Sequence, residues 1–160
     1  MAIQEGDRIP LATLTVAKPD GMQAATTDDL FAGKRTVLFA VPGAFTPTCS
    51  AKHLPGFKEK AAELKGRGID QIACVSVNDP FVMQAWGRDQ GITDEVVMLA
   101  DGSGDLARAL GLEADFSKFG LGARSQRYSM LINDGVVEKL NVEAPGEFRV
   151  SSAEYMVESL

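Results

Sequence analysis

The chain has 160 residues, 45% of them hydrophobic and 24% charged, which suits one globular domain over residues 1–160 with a proper core. A formal charge of −6 with no basic cluster argues against nucleic acid or an anionic membrane as partner, and no apolar run is long enough to span a bilayer. The first seven residues lack the basic and apolar regions of a signal peptide, and two lone cysteines read as thiols, so a cytoplasmic location is expected.

Residues 11–16 alternate like a strand, and Pro19-Asp20-Gly21 turns the chain into a second extended piece at 22–26, an N-terminal hairpin. Residues 27–31, stopped by Gly33, make a single helical turn. The β-branched and aromatic run at 36–41 reads as a buried strand. A helix is expected over about residues 47–65, because Pro47 is tolerated in a first turn and Gly66 and Gly68 end it. Pro55 lies inside it and removes one backbone hydrogen bond, so a kink is expected near 51–54.

Ile72-Ala73-Cys74-Val75 looks like the heart of a central strand within 69–77, and Pro80 opens a helix that ends at Gly91. A strand at 96–100, a turn at Asp101-Gly102-Ser103-Gly104 and a helix at 105–110 follow. That turn lacks the Lys-Ser/Thr of a phosphate loop. Residues 111–125 read as loop, with Phe116, Phe119 and Leu121 at or near the surface. Asn133-Asp134-Gly135 joins strands at 126–132 and 136–142. Ser151-Ser152-Ala153-Glu154 resembles a capping box for the final helix. The order of elements gives an α/β fold, a mixed sheet covered on both faces.

Cys49 falls where a strand has turned and a helix begins, with Thr46 at the cap. First-turn N–H groups and the positive end of the helix dipole favour a thiolate. They are not enough: bringing a free cysteine from about 8.5 to roughly 6 needs about 3.4 kcal/mol, and a helix terminus gives only about 0.3–1. A cation must help. Arg124 and Arg127 are equal candidates by position. Thr46-Pro47-Thr48-Cys49 is no Cys-x-x-Cys, so a disulfide cannot close within the turn, whereas the Thr46 hydroxyl can donate to the thiolate or hold a small polar substrate. His53, one helical turn on, would suit a Cys–His pair, but no further His or Cys except Cys74 exists for a metal. Cys74, between Ala73 and Val75, reads as a packed core thiol.

Pro42, Thr46 and Cys49 match the Pro-x-x-x-Thr-x-x-Cys signature of peroxiredoxins. Together with His53-Leu54-Pro55-Gly56-Phe57, Val75-Ser76-Val77-Asn78-Asp79-Pro80, Trp86-Gly87 and Arg127-Tyr128-Ser129-Met130, the chain resembles the type II, or fifth-class, branch over nearly its whole length. The resemblance implies a thioredoxin-like fold and a thiol peroxidase that reduces hydrogen peroxide and organic hydroperoxides through a Cys49 sulfenic acid. It assigns the cation to Arg127. Thr46, Arg127 and the Cys49 N–H would stabilise the peroxide in the transition state, Pro42 would shield the site, Phe45 would line its mouth, and His53 could line the pocket.

Some members of the branch resolve the first sulfur with a cysteine at the place of Cys74. Others use one near the C-terminus, where this chain reads Phe148-Arg149-Val150-Ser151-Ser152. An external thiol is therefore expected as reductant: glutathione, glutaredoxin or thioredoxin. No metal, haem, flavin or nucleotide is implied, and a homodimer through Phe45, Phe81 and the 116–121 loop is expected. The rival readings are a redox sensor or interaction module whose Cys49 oxidises without turnover, and a Cys–His hydrolase.

Overall fold

The structure, a computed structural model, describes residues 2–160. Nine strands form in chain order: β1 (Thr13–Lys18), β2 (Gly21–Thr26), β3 (Arg35–Ala40), β4 (Gln71–Ser76), β5 (Val97–Ala100), β6 (Glu113–Asp115), β7 (Ala123–Ser125), β8 (Tyr128–Asn133) and β9 (Val136–Val142). The helices are α1 (Thr27–Phe31), α2 (Leu54–Gly66), α3 (Pro80–Asp89), α4 (Asp105–Leu110) and α5 (Ala153–Ser159). Seven strands make one sheet in the order β2-β1-β5-β4-β3-β8-β9. The three central neighbours β5, β4 and β3 are parallel, and β1, β8 and β9 run antiparallel to their neighbours.

Alternate residues of β3 feed two cores, as a strand's two-residue period requires. Val37 and Phe39 join Leu54, Phe57, Leu64, Trp86 and Met156 on one face, while Leu38 and Ala40 join Phe31, Leu106, Leu110 and Tyr128 on the other. Both faces of the sheet are therefore covered, and β3 and β4 are buried beyond their first residues.

Asp134 and Gly135 both take positive φ, 50° and 81°, which is the backbone a two-residue hairpin needs to match the twist of β8 and β9. Asp79 caps α3 by accepting from the Val82 N–H at 2.9 Å. Two readings of the sequence need correction. Residues 111–125 are not simply loop: β6 and β7 pair as a small second sheet, too short to leave a periodic pattern. The final cap is Ser152, which accepts from the Tyr155 N–H at 3.1 Å; Ser151 is one residue too early and serves another contact. The long helix expected over about 47–65 runs without a break from 47 to 66, with a π turn inside it.

Where a kink is expected, residues Cys49–His53 form a π-helical turn that runs into α2. The Leu54 N–H bonds to the Cys49 carbonyl, five residues back rather than four. Pro55 has no N–H to offer the preceding turn, so the ladder absorbs its absence by widening.

Candidate active site

The antiparallel placement of β8 beside β3 builds the site. Tyr128 pairs with Ala40, so Arg127 arrives at the end of β3 where the loop to Cys49 begins. That loop is fixed from β4: the Ser76 hydroxyl donates to the Val41 carbonyl at 3.1 Å, and the Asn78 side chain accepts from the Ala44 N–H at 3.0 Å. Ser50 N–H to Thr46 carbonyl, 2.9 Å, is the first bond of the helical ladder, which leaves the Cys49 N–H ahead of it among the first-turn donors. From α3, the Trp86 indole N–H donates to the Ser50 hydroxyl at 3.0 Å and holds the π turn from behind.

The Arg127 Nη2 lies 3.1 Å from Cys49 Sγ, and its Nη1 lies 2.8 Å from His53 Nδ1. A guanidinium can only donate, so Nδ1 accepts and the ring proton sits on Nε2, which donates to the Ser151 carbonyl at 2.9 Å. The His53 ring is fully buried among Phe39, Phe57 and Phe148. Burial first, then the adjacent Arg127 charge, pulls its pKa down to about 3 against the weaker opposing pull of the Ser151 bond. His53 is thus a neutral acceptor across the working pH range. The guanidinium also sits 5.8 Å from the Phe148 ring centre.

Cys49 itself has no exposed surface. A cleft of about 480 Å³ reaches the Arg127 guanidinium and is lined by Pro42, Thr48, Phe116, Phe148 and residues 143–147. The cleft walls correct two expectations. Phe45 takes φ 64° and puts its ring on the surface, 51% exposed, so the aromatic walls come from Phe116 and Phe148 instead. His53 lies behind Arg127 rather than on the wall.

The Thr46 hydroxyl donates to the Gly43 carbonyl at 2.6 Å, so what it can turn toward the site is an acceptor lone pair rather than the donor expected of it. Arg124 is also used locally: its Nη1 donates to the Pro42 carbonyl at 3.2 Å and its Nε to Leu121 at 2.9 Å, steadying the cleft floor. Cys74, wholly buried opposite Phe39 and Met98, is a free thiol in the same core layer as Cys49. Burial, helped by nearby Cys49, pushes its pKa well up despite Arg127.

Sequence reading missed Glu143, Phe148 and Ser151. Glu143 is buried, and its carboxylate accepts from the N–H groups of Arg149, Val150 and Ser151 and from the Ser151 hydroxyl. A glutamate at the end of a strand reads as a solvated charge. Among the described residues no three His, Cys, Asp or Glu side chains group to hold a metal ion. Among those residues no helix is long and apolar enough to cross a membrane.

A buried sulfur held against a guanidinium at the head of a helix, where that guanidinium lines a small cleft, is suited to two-electron chemistry on sulfur, and the sheet that carries it is thioredoxin-like. The class is that of thiol-based oxidoreductases. The family model described as Redoxin matches residues 4–157, and the chain belongs to the peroxiredoxins. It is 53% identical to Peroxiredoxin-2E, chloroplastic, of Arabidopsis thaliana over 99% of this chain and 70% of that one. Against Peroxiredoxin-2B of the same plant identity is 51%, over 99% and 98% of the two chains. The crystal structure of reduced Prx3 in complex with H2O2 from Vibrio vulnificus matches at a TM-score of 0.93 and 54% identity over 98% of each chain. The protein is accordingly a thiol peroxidase with an antioxidant function.

Proposed function

We propose that Cys49 is the sulfur that is oxidised, and that Arg127, Thr46, Pro42 and the Cys49 N–H make up the rest of the reacting centre. The observation that carries this reading is the 3.1 Å contact between Cys49 Sγ and Arg127, which lines the cleft. The thiolate attacks one peroxide oxygen, the O–O bond breaks as the S–O bond forms, and sulfur is oxidised by two electrons to sulfenic acid. The departing oxygen takes a proton and leaves as water or an alcohol. Thiolate nucleophilicity falls as thiol acidity rises, so the rate must come from donors aimed at the breaking O–O bond, each worth about 3–4 kcal/mol by analogy with oxyanion holes. Arg127 and the Cys49 N–H are those donors, and the Thr46 oxygen accepts the peroxide proton.

Pro42 and the closed surroundings of the sulfur limit water access and overoxidation. The Phe116 and Phe148 walls suit organic hydroperoxides, and the peroxide complex of the Vibrio relative supports hydrogen peroxide as a substrate. An external thiol then attacks the sulfenic sulfur, releasing water, and a second thiol releases Cys49 and leaves with a disulfide. Glutathione, glutaredoxin or thioredoxin supplies them; Cys74 is too enclosed to be the first choice. The reaction needs no resident cofactor. Exposed Phe45, Phe81 and Phe119 support a homodimer, and two free thiols suit the reducing cytoplasm.

The test is hydrogen peroxide consumption measured in parallel with each donor. Cys49→Ser should abolish turnover, whereas Cys74→Ser should keep most of it with glutathione or glutaredoxin. A single oxidation without turnover under every donor would favour the sensor reading, and an inactive Cys74→Ser would move the resolving step onto Cys74.

A further inference from the structure

We infer that Glu143 is a positioning residue for this site, setting the direction of the Arg127 guanidinium through Ser151 and His53. The inference rests on the reading of Arg127 given above. Glu143 is 7% exposed, yet among the described residues no lysine or arginine pairs with its carboxylate; the nearby Arg149 side chain pairs with Glu147 instead, at 3.7 Å. Its charge is balanced by donors alone: Arg149 N–H at 2.8 Å, Val150 N–H at 2.9 Å, Ser151 N–H at 2.8 Å and the Ser151 hydroxyl at 2.6 Å, all on one oxygen, with Arg149 N–H also 3.0 Å from the other. Successive N–H groups converging on one anion make a nest, which fixes the strap from 149 to 151 in a single conformation.

That strap presents the Ser151 carbonyl to His53, and His53 in turn presents Nδ1 to Arg127. The Glu143 N–H also donates to the Arg127 carbonyl at 3.0 Å. The connections therefore close on themselves: one residue holds the main chain of Arg127 directly and its guanidinium at the end of a relay. Burial opposes the charged carboxyl, but the Ser151 hydroxyl and the three N–H groups outweigh it and hold the pKa below the ordinary range, so the nest stays charged at neutral pH. The other charged or titratable groups facing this region are Arg127 and His53 on the site side, Arg149 on the strap with Glu147 just before it, and Asp115 in the cleft lining.

The sign of one measurement separates the alternatives. Were Glu143 only a nearby negative charge, neutralising it would favour the thiolate. Acting through direction, its loss turns the guanidinium away and disfavours the thiolate. Glu143→Gln keeps the shape and removes the charge, and thiolate absorbance is followed against pH together with the second-order rate with hydrogen peroxide. The midpoint should move up by about one pH unit and the rate at neutral pH should fall about tenfold. A midpoint that moves down, or does not move, overturns the inference. Ser151→Ala removes one of the four donors and should shift the midpoint the same way by less; it decides the matter if Glu143→Gln does not fold, and no shift there overturns it too. Arg127→Ala is run beside them. If it leaves midpoint and rate unchanged, the reading of the site fails; if it changes both while Glu143→Gln changes neither, only this inference fails.

Discussion

Arg127→Ala is the substitution on which the chemistry turns. The wild-type contact is 3.1 Å, and two unit charges at that separation attract by roughly 5 kcal/mol at an effective dielectric of 20. Desolvation of both groups offsets much of this, and hydrogen bonds to charged groups retain about 1.5–3 kcal/mol. That corresponds to an upward move of about one to two pH units in the thiolate midpoint, and about a tenfold to hundredfold lower thiolate population on the acid side of it. The rate with hydrogen peroxide should fall by more, because in the proposed mechanism the same guanidinium also faces the departing oxygen. Stopped-flow peroxide kinetics and thiolate absorbance, measured on one preparation, give both quantities. Arg127→Lys should lie between, since an ammonium keeps the charge but lacks the fork that spans His53 and the sulfur together. A rate and a midpoint both unchanged in Arg127→Ala would refute the reasoning.

Two further expectations concern the frame of the site. His53 has a pKa near 3 in the fold against 6.5 unfolded, so the unfolded chain binds more protons between those values, and stability is full above about pH 6.5 and lost as pH falls toward 3. From pH 7 to pH 5 this group alone should remove about 2 kcal/mol, with Glu143 acting in the same direction lower down. Urea midpoints should show the loss in the wild type and a flatter profile in His53→Gln; equal slopes would count against it. Trp86→Phe deletes the indole donation to Ser50 and should cost about 1 kcal/mol in the same assay while slowing peroxide reduction; no change in either would mean the π turn is held without it.

The strands and helices were largely legible because β-branched runs and Gly/Pro punctuation mark them plainly, as at 36–41, 72–75 and Asn133-Asp134-Gly135. The order of strands in the sheet was not, since it depends on which edges meet. Pro55 announced a kink but not its form: a missing N–H says that a bond is lost, not how the neighbouring carbonyls regroup. Cys49 stood out from its strand-to-helix setting. Its partner lies 78 residues away, and spacing alone left Arg124 and Arg127 equal; geometry gives the first to Pro42 and the second to the sulfur. Phe45 misled because an aromatic beside a reactive cysteine suggests a wall, while a left-handed backbone carries it outward. Glu143 was invisible because a carboxylate balanced by peptide N–H groups has no side-chain signature.

The widened turn at Cys49–His53 has one more effect. It holds one residue of slack beyond an ordinary helix, and slack of this kind can travel along a helix like a wrinkle in a carpet. Pro55 bars its passage toward α2, because no amide hydrogen is available there to re-zip behind it. The only outlet lies toward Thr46, so unravelling that starts at this end frees Cys49 early, with α2 still intact. Any loosening of the widened turn is thus confined to the side of Pro55 that carries the buried sulfur.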